Sequence, residues 1–142
     1  MPQISIINNA LSTQKKFDEI LLMAKKEIVA IIPEKATALM CNKSNFQEWG
    51  KKGVKTRIMT HITKENKETA QELAKTCEVR QISAGYLGIL VVDGEHLLQF
   101  KSKPENDKGK GNCESAFYTN DLTYVEGIKS LLEDLWKSAP TP

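Results

Sequence analysis

Three side chains that can bind ligands lie at the ends of two predicted strands. Residues 28–32 (IVAII) are a continuous, mostly β-branched run, and residues 54–60 (VKTRIMT) are a second strand-like segment. Glu34 comes just after the first segment, Thr60 closes the second, and His61 follows it. Ligands of open α/β sheets bind beyond the carboxyl ends of the strands. The sequence therefore predicts a polar ligand site at this sheet edge, with an ordinary solvated loop as the alternative interpretation.

The cysteine and histidine positions predict no metal site. Cys41, Cys77 and Cys113 are widely spaced and contain no CxxC pair. An odd number of cysteines without close pairs is typical of reduced thiols in a cytosolic protein. We interpret them as small, partly buried apolar side chains, and a redox sensor is the alternative interpretation. His61 and His96 have no spacing that would assemble zinc ligands with these cysteines. We therefore expect no metal and no cofactor.

The chain length predicts one domain. Its 142 residues fall within the usual domain size of roughly 100–200 residues. We expect a single domain over residues 1–142, with residues 1–11 and 139–142 at its periphery. The longest apolar runs, residues 28–32 and 89–92, are far shorter than the roughly 20 residues of a membrane-spanning helix. With no secretory signal visible, the sequence predicts a cytoplasmic protein without membrane association.

The charge composition predicts no direct nucleic-acid partner. Lys and Arg number 20 against 18 for Asp and Glu, which leaves a net charge of +2. Only Arg57 and Arg80 are arginines. Phosphate and base-edge recognition favours arginine forks, and nucleic-acid-binding domains show a stronger basic bias.

Apolar residues at helical spacing predict the helices of the chain. They run from Ser12 or Thr13 to about Glu27, over residues 36–49, over residues 64–76, and from a cap at Asn120 or Asp121 towards the C-terminus. The apolar stripe of the last helix comprises Val125, Ile128, Leu131, Leu132, Leu135 and Trp136. Such a stripe indicates a helix that packs on the core along one face.

The remaining segments predict a mixed sheet. Residues 79–82 and 115–119 are short strands, and residues 87–92 and 96–100 flank Asp93-Gly94, which is a strong hairpin signal. Helices alternate with strands before this hairpin, which implies parallel strands with right-handed crossovers. The predicted fold class is therefore α/β, with a mixed, mostly parallel sheet flanked by helices and a C-terminal β-hairpin region. A flavodoxin-like fold would share the first elements, but the hairpin argues against it.

The succession of these segments resembles one half of the phospholipase D fold. The resemblance lies in residues 53–60, 79–82 and 87–94, and it extends from about residue 12 to residue 138. Within this superfamily the chain is most similar to non-catalytic sensor domains. These form the effector-binding part of TrmB-type archaeal transcription regulators and also occur in archaeal sensor kinases.

The resemblance also implies a degenerate catalytic motif. The enzymes carry His-x-Lys-x4-Asp, in which the histidine attacks phosphorus and the lysine binds phosphate charge. Aligning the aspartate on Asp93 places Tyr86 at the histidine and Gly88 at the lysine. A phenol titrates near pH 10 and glycine carries no charge, so neither residue replaces its counterpart. We therefore expect no enzymatic activity, and Tyr86 joins Glu34, Thr60 and His61 as a predicted ligand contact.

The family implies a regulatory role. We expect a non-enzymatic ligand-sensing domain that acts as a homodimer in transcription regulation or signal transduction, with a small-molecule effector and a separate DNA-binding or kinase output module. Two alternatives stay open. One is a divergent phosphodiesterase or nuclease that uses His61, and the other is a purely structural dimerisation module.

Overall fold

The structure is a computed structural model that describes residues 2–34, 48–83, 87–101 and 115–142. Its strands are β1 (Ile4–Ile7), β2 (Glu27–Ile32), β3 (Lys55–Thr60), β4 (Glu78–Gln81), β5 (Leu87–Val92), β6 (His96–Lys101) and β7 (Ser115–Thr119). Its helices are α1 (Ala10–Leu22), α2 (Lys67–Leu73) and α3 (Leu122–Ser138), and residues 48–51 add a short helical segment. In these ranges, no helix combines the length and hydropathy needed to span a membrane.

The strands form one seven-stranded sheet in the order β1-β7-β6-β5-β2-β3-β4. This confirms the predicted α/β class and the mixed sheet flanked by helices. The sheet is less parallel than predicted, because only β2–β3 and β3–β4 pair in parallel among the described strands. The other four neighbouring pairs are antiparallel, since the chain reverses at β5, continues through hairpins, and adds β1 to β7. The antiparallel β2–β5 pair also excludes the flavodoxin-like alternative.

The hairpin at Asp93-Gly94 has the predicted turn geometry. Asp93 has a φ of 56° and Gly94 a φ of 67°, both in the left-handed region that this turn requires. The register pairs Val92 with His96, so Glu95 also lies between the two strands.

The helix boundaries differ from the predicted ones for local reasons. α1 begins one turn earlier than predicted, because the Asn9 side chain accepts the Ser12 N–H at 2.8 Å and caps the helix. α1 also ends at Leu22 rather than near Glu27, because the backbone that follows bonds to a distant carboxylate described below. α2 covers less than residues 64–76, and the predicted cap Asp121 of α3 is confirmed. The predicted helix over residues 36–49 lies mostly outside the described residues.

The core has a layer on each face of the sheet. α1 covers one face with Phe17, Ile20 and Leu21, and α3 covers the other with Val125, Leu132 and Trp136. The predicted α3 stripe is wider than the buried one, because Leu131 is 65% exposed and Leu135 is 38% exposed. Those two positions are therefore surface residues in this chain, contrary to the sequence prediction.

Both arginines of the chain hold α3 against the sheet. The Arg57 guanidinium pairs with Glu133 at 2.8 Å, and Arg80 Nη1 donates to the Trp136 carbonyl at 2.5 Å. Both guanidinium groups also lie over the Trp136 ring, at 5.4 Å and 4.4 Å from its centroid. An ion pair between Lys129 and Glu27 adds a third tether.

Cys77 is buried, as predicted, whereas Cys41 and Cys113 lie outside the described residues. Burial raises the pKa of the Cys77 thiol above its ordinary value of 9.0, although hydrogen bonds with Thr76 and Thr56 partly oppose this rise. The unfolded chain therefore loses the thiol proton at a lower pH than the folded chain. The contribution of Cys77 to stability is complete below the ordinary thiol pKa and falls as the pH rises through it.

We expect the melting temperature of the wild type to fall more steeply than that of Cys77→Ala between about pH 8 and pH 10. Burial likewise raises the pKa of Tyr118, but that group is present in both proteins and cancels in the comparison. Thermal melts of the two proteins at half-unit pH steps measure the difference. Parallel profiles would show that the thiol does not titrate differently in the folded chain.

Candidate functional site

The carboxyl ends of β2, β3 and β4 form a cleft with the start of β5. A cavity of about 130 Å³ is lined by Ile31, Ile32, Pro33, Glu34, His61, Ile82, Ser83 and Leu87. A cavity of about 490 Å³ is lined by His61, Gln81, Ile82, Ser83, Leu135, Ser138, Ala139 and Pro140. The two share His61, Ile82 and Ser83, and we call them together the edge cleft. Its position follows from the topology, since β5 runs antiparallel to β2 and begins where β2 ends.

His61 is held at the centre of the edge cleft. Its Nδ1 lies 3.2 Å from the carbonyl of Ile82, which only accepts hydrogen bonds, so Nδ1 carries a proton. The Asn66 side chain donates to the His61 carbonyl at 2.9 Å and accepts the Thr63 N–H at 2.8 Å, which fixes the backbone after β3.

Two of the four predicted ligand contacts lie on the edge cleft, one is buried beneath it, and one lies outside the described residues. Glu34 and His61 lie together on the edge cleft, as the strand-end argument predicted. Thr60 is fully buried, and its hydroxyl donates to the Ile32 carbonyl at 2.7 Å, so it joins β3 to β2 beneath the cleft. Tyr86 lies outside the described residues. Ligand binding at this edge stays a prediction.

The lysine position of the degenerate motif is filled by an aromatic ring. Gly88 pairs with Phe100 across β5 and β6. A Cβ added at Gly88 would lie 2.2 Å from Phe100 ring carbons. Phe100 is itself 1% exposed and packs edge-to-face on Phe17 at 5.8 Å between centroids. No side chain fits at position 88 without displacing this ring from the core.

The aspartate of the motif has a structural role. The Asp93 carboxylate accepts the backbone N–H groups of Lys25, Lys26 and Glu27 at 2.9, 2.7 and 2.9 Å. The Asp93 N–H donates to the Glu27 carbonyl at 2.8 Å. Asp93 therefore fastens the hairpin to the segment between α1 and β2, at the opposite end of β5 from the edge cleft. These contacts explain why α1 ends early. They also explain why an aspartate is present at position 93 although the histidine and lysine of the catalytic motif are absent.

Sequence reasoning missed these backbone partners of Asp93. The Asp-Gly signal indicated only a turn, and the three donors lie 66 to 68 residues earlier in the chain.

Among the described residues, no three His, Cys, Asp or Glu side chains come together around a metal position.

Comparison with known proteins identifies the fold. No protein-family model and no curated protein matches the chain. Solved structures do: NucT from Helicobacter pylori matches with a TM-score of 0.72 at 12% identity over 100% of both chains. Nuc from Salmonella typhimurium, a phospholipase D family member, matches with a TM-score of 0.70 at 14% identity over 100% of this chain and 99% of Nuc. The chain therefore has a phospholipase D-like fold.

A further solved structure has the same fold. TrmBL2, an archaeal chromatin protein whose structure shows a novel mode of DNA binding, matches with a TM-score of 0.76 at 19% identity. The match covers 99% of this chain and 55% of TrmBL2, so the chain spans little more than half the length of that protein. The predicted resemblance to the phospholipase D-like fold and to TrmB-type domains is confirmed at the level of the fold.

Proposed function

We propose that the chain is a non-enzymatic ligand-sensing or regulatory domain of phospholipase D-like fold that acts in the cytoplasm. The observation that carries this proposal is the packing of Phe100 at Gly88. This packing leaves no room for the lysine of the catalytic motif, and the Asp93 carboxylate is engaged in holding the fold. Loss of a covalent nucleophile and its partners costs an enzyme on the order of a millionfold in turnover.

The edge cleft is the proposed effector site. Its polar groups come from Glu34, His61, Gln81, Ser83 and Ser138, and the sequence adds Tyr86, which immediately precedes the start of β5. Thr60 supports the site by tying β3 to β2. Both arginines are engaged with α3, which supports an effector that is a small molecule rather than a nucleic acid.

The proposed domain is a homodimer. Leu131 and Leu135 on α3 are exposed, and Leu87 at the start of β5 is 47% exposed. Leu87 and Leu135 each line one of the two cavities of the edge cleft. A second copy packed on this surface would bury these side chains and close the cleft. An effector at 100 times its dissociation constant adds about 2.7 kcal/mol to the state that binds it, enough to report to a DNA-binding or kinase output module.

Thermal shifts across a panel of metabolites test effector binding. A true ligand should raise the melting temperature by about 5–10 °C at 100 times its dissociation constant. The shift should disappear in His61→Gln. His96→Gln is the matched control, because His96 bonds to Tyr118 through Nδ1 away from the cleft and each variant is compared with its own unliganded melt. A panel without any shift would favour the purely structural dimerisation module.

Hydrolysis of bis(4-nitrophenyl) phosphate tests the absence of activity. We expect no turnover above buffer with the wild type. Turnover that is lost in His61→Ala would establish the divergent phosphodiesterase or nuclease instead. Turnover that is lost in Tyr86→Phe would likewise contradict the proposal.

A further inference from the structure

The strand β1 offers backbone hydrogen-bonding groups at one end of the sheet. Among the described strands it has a neighbour only in β7. The Gln3 carbonyl accepts the Asn120 N–H at 3.2 Å. Bonded residues alternate along an antiparallel ladder, so every second residue from Gln3 onward faces β7. The N–H and C=O groups of Ile4 and Ile6 therefore point away from β7, beyond the end of the sheet.

The same two residues expose their side chains. Ile4 is 64% exposed and Ile6 is 68% exposed. Ile6 lies opposite Phe117, which packs with the core layer beneath α3, so both isoleucines are on the α3 face of the sheet. The Phe117 ring in turn contacts Tyr124 edge to face at 5.8 Å between centroids. This end of the sheet thus presents apolar side chains beside its outward backbone groups.

The opposite end of the sheet is protected in ways that β1 is not. β4 carries Glu78 and Arg80, and the Gln81 N–H donates to the Pro140 carbonyl of the C-terminal tail at 2.9 Å. Charged side chains and covering segments keep end strands from pairing with other chains. β1 has the sequence ISII, with neither a charge nor a proline, and it pairs with β7 without a bulge. No charged side chain occurs from residue 2 to residue 14.

The strand β1 is also self-complementary about Ser5. If a two-fold axis at Ser5 relates two antiparallel copies, Ile4 of each copy lies opposite Ile6 of the other. These are the residues whose backbone groups point outward, so each pair exchanges both of its N–H···O bonds. The isoleucines of both copies then meet on one face of the sheet. Because this segment carries no charged side chain, the pairing brings no like charges together.

We propose that two copies of this chain associate through β1, antiparallel about Ser5, so that their sheets continue as one. Because β1 has four residues, the contact is small and the association depends on concentration. It goes beyond the homodimer proposed above, whose surface contains Leu87, Leu131 and Leu135 and shares no residue with β1. A chain that makes both contacts forms a closed tetramer or an extended array, depending on the positions of the two axes.

Sedimentation velocity over a range of concentrations tests this contact. The starting chain carries Leu131→Lys, which disrupts the edge-cleft surface and leaves β1 intact. Adding Ile6→Lys should weaken the remaining association at least about a hundredfold, because each dimer contains the substitution twice and each copy costs about tenfold. Leu22→Lys is the matched control, since Leu22 is 72% exposed at the far end of α1. It should leave the association unchanged, and thermal melts check that each variant is folded.

A disulfide tests the register of the pair. In Ser5→Cys the two-fold axis places the two substituted positions in a non-hydrogen-bonded pair, with Cα atoms about 4.5 Å apart, which a disulfide spans. In Ile6→Cys the two positions are diagonal neighbours about 7–8 Å apart, which is too far. We expect Ser5→Cys to give a linked dimer on oxidation and Ile6→Cys to give none. Peptide mapping by mass spectrometry separates this link from those of the native cysteines.

The outcomes distinguish this proposal from the earlier ones. A Leu131→Lys chain that stays monomeric at every concentration, or whose association Ile6→Lys leaves unchanged, would overturn pairing through β1. Failure of Ser5→Cys to form its link, or equal linking in Ile6→Cys, would overturn it as well. The edge-cleft dimer fails separately, if Leu131→Lys has no effect on the association of the wild type. Ligand sensing is tested independently by the metabolite panel.

Discussion

Asp93→Ala is expected to lower the free energy of unfolding by about 3 kcal/mol, although the aspartate lies far from the edge cleft. The variant leaves the N–H groups of Lys25, Lys26 and Glu27 without the carboxylate that accepts them at 2.7–2.9 Å. Hydrogen bonds to a charged group contribute about 1.5–3 kcal/mol each and are not additive. Alanine is also less suited than aspartate to the φ of 56° at this position. Urea denaturation at neutral pH measures the loss.

Asp93→Asn is the matched control for that experiment. Asparagine tolerates the left-handed conformation and keeps one carbonyl oxygen as an acceptor, so a loss of about 1 kcal/mol is expected. If Asp93→Ala were as stable as the wild type, the carboxylate would not have the structural role that its hydrogen bonds indicate. An aspartate retained for chemistry would then become the better explanation of this position.

The fold was predictable where local signals decide the structure. The β-branched run at residues 28–32 and the segment at residues 115–119 became strands close to their predicted limits. The Asp-Gly signal gave the turn with both left-handed residues. The end of α1 was not predictable, because apolar spacing continues to Ala24 while the backbone that follows is captured by Asp93 from a distant part of the chain.

The position of the candidate site was predictable from the sequence, but the role of each of its residues was not. Glu34 and His61 meet on the edge cleft because parallel strands end at one edge. The burial of Thr60 was predictable from the alternation of side chains along a strand, because Thr60 lies on the same face of β3 as the core residue Ile58. A polar residue at a strand end therefore needs its face checked before it is assigned to a ligand.

The side chain that lies opposite Gly88 is determined by the register between β5 and β6, and the sequence does not reveal that register. A simple two-residue loop at Asp93-Gly94 would pair Val92 with Glu95 and therefore Gly88 with Gln99. The observed register pairs Val92 with His96, which brings Phe100 opposite Gly88. A shift of one residue exchanges the two faces of a strand. The absence of the lysine is visible in the sequence, but only the register shows that Phe100 occupies its place.

Gly88→Lys is expected to destabilise the chain severely rather than to restore chemistry. A Cβ at this position would lie 2.2 Å from the Phe100 ring, and the ammonium group would be forced into the core. Overpacking costs about 1–3 kcal/mol for a single added group, so Gly88→Ala alone should lose that much. A buried ammonium adds a larger desolvation cost, so we expect little folded Gly88→Lys at 37 °C.

Gly127 provides the matched control, because a Cβ added there meets nothing within 4 Å. Gly127→Ala lies inside α3 and should therefore stabilise the chain by about 0.5–1 kcal/mol. The contrast between two glycines of one chain separates a steric requirement from the general effect of replacing glycine.

A double-mutant cycle between positions 88 and 100 assigns the cost to the ring. Phe100→Ala alone should lose about 3–5 kcal/mol, because it leaves a cavity beside Phe17. Adding Gly88→Ala to that variant should cost nothing further, which gives a coupling energy of about 1–3 kcal/mol from urea denaturation. Additive losses would mean that Phe100 does not hold position 88 closed. The double variant Gly88→Lys with Tyr86→His could instead fold stably and hydrolyse a phosphodiester. This fold could then still form the catalytic arrangement, and the proposed regulatory role would lack its structural basis.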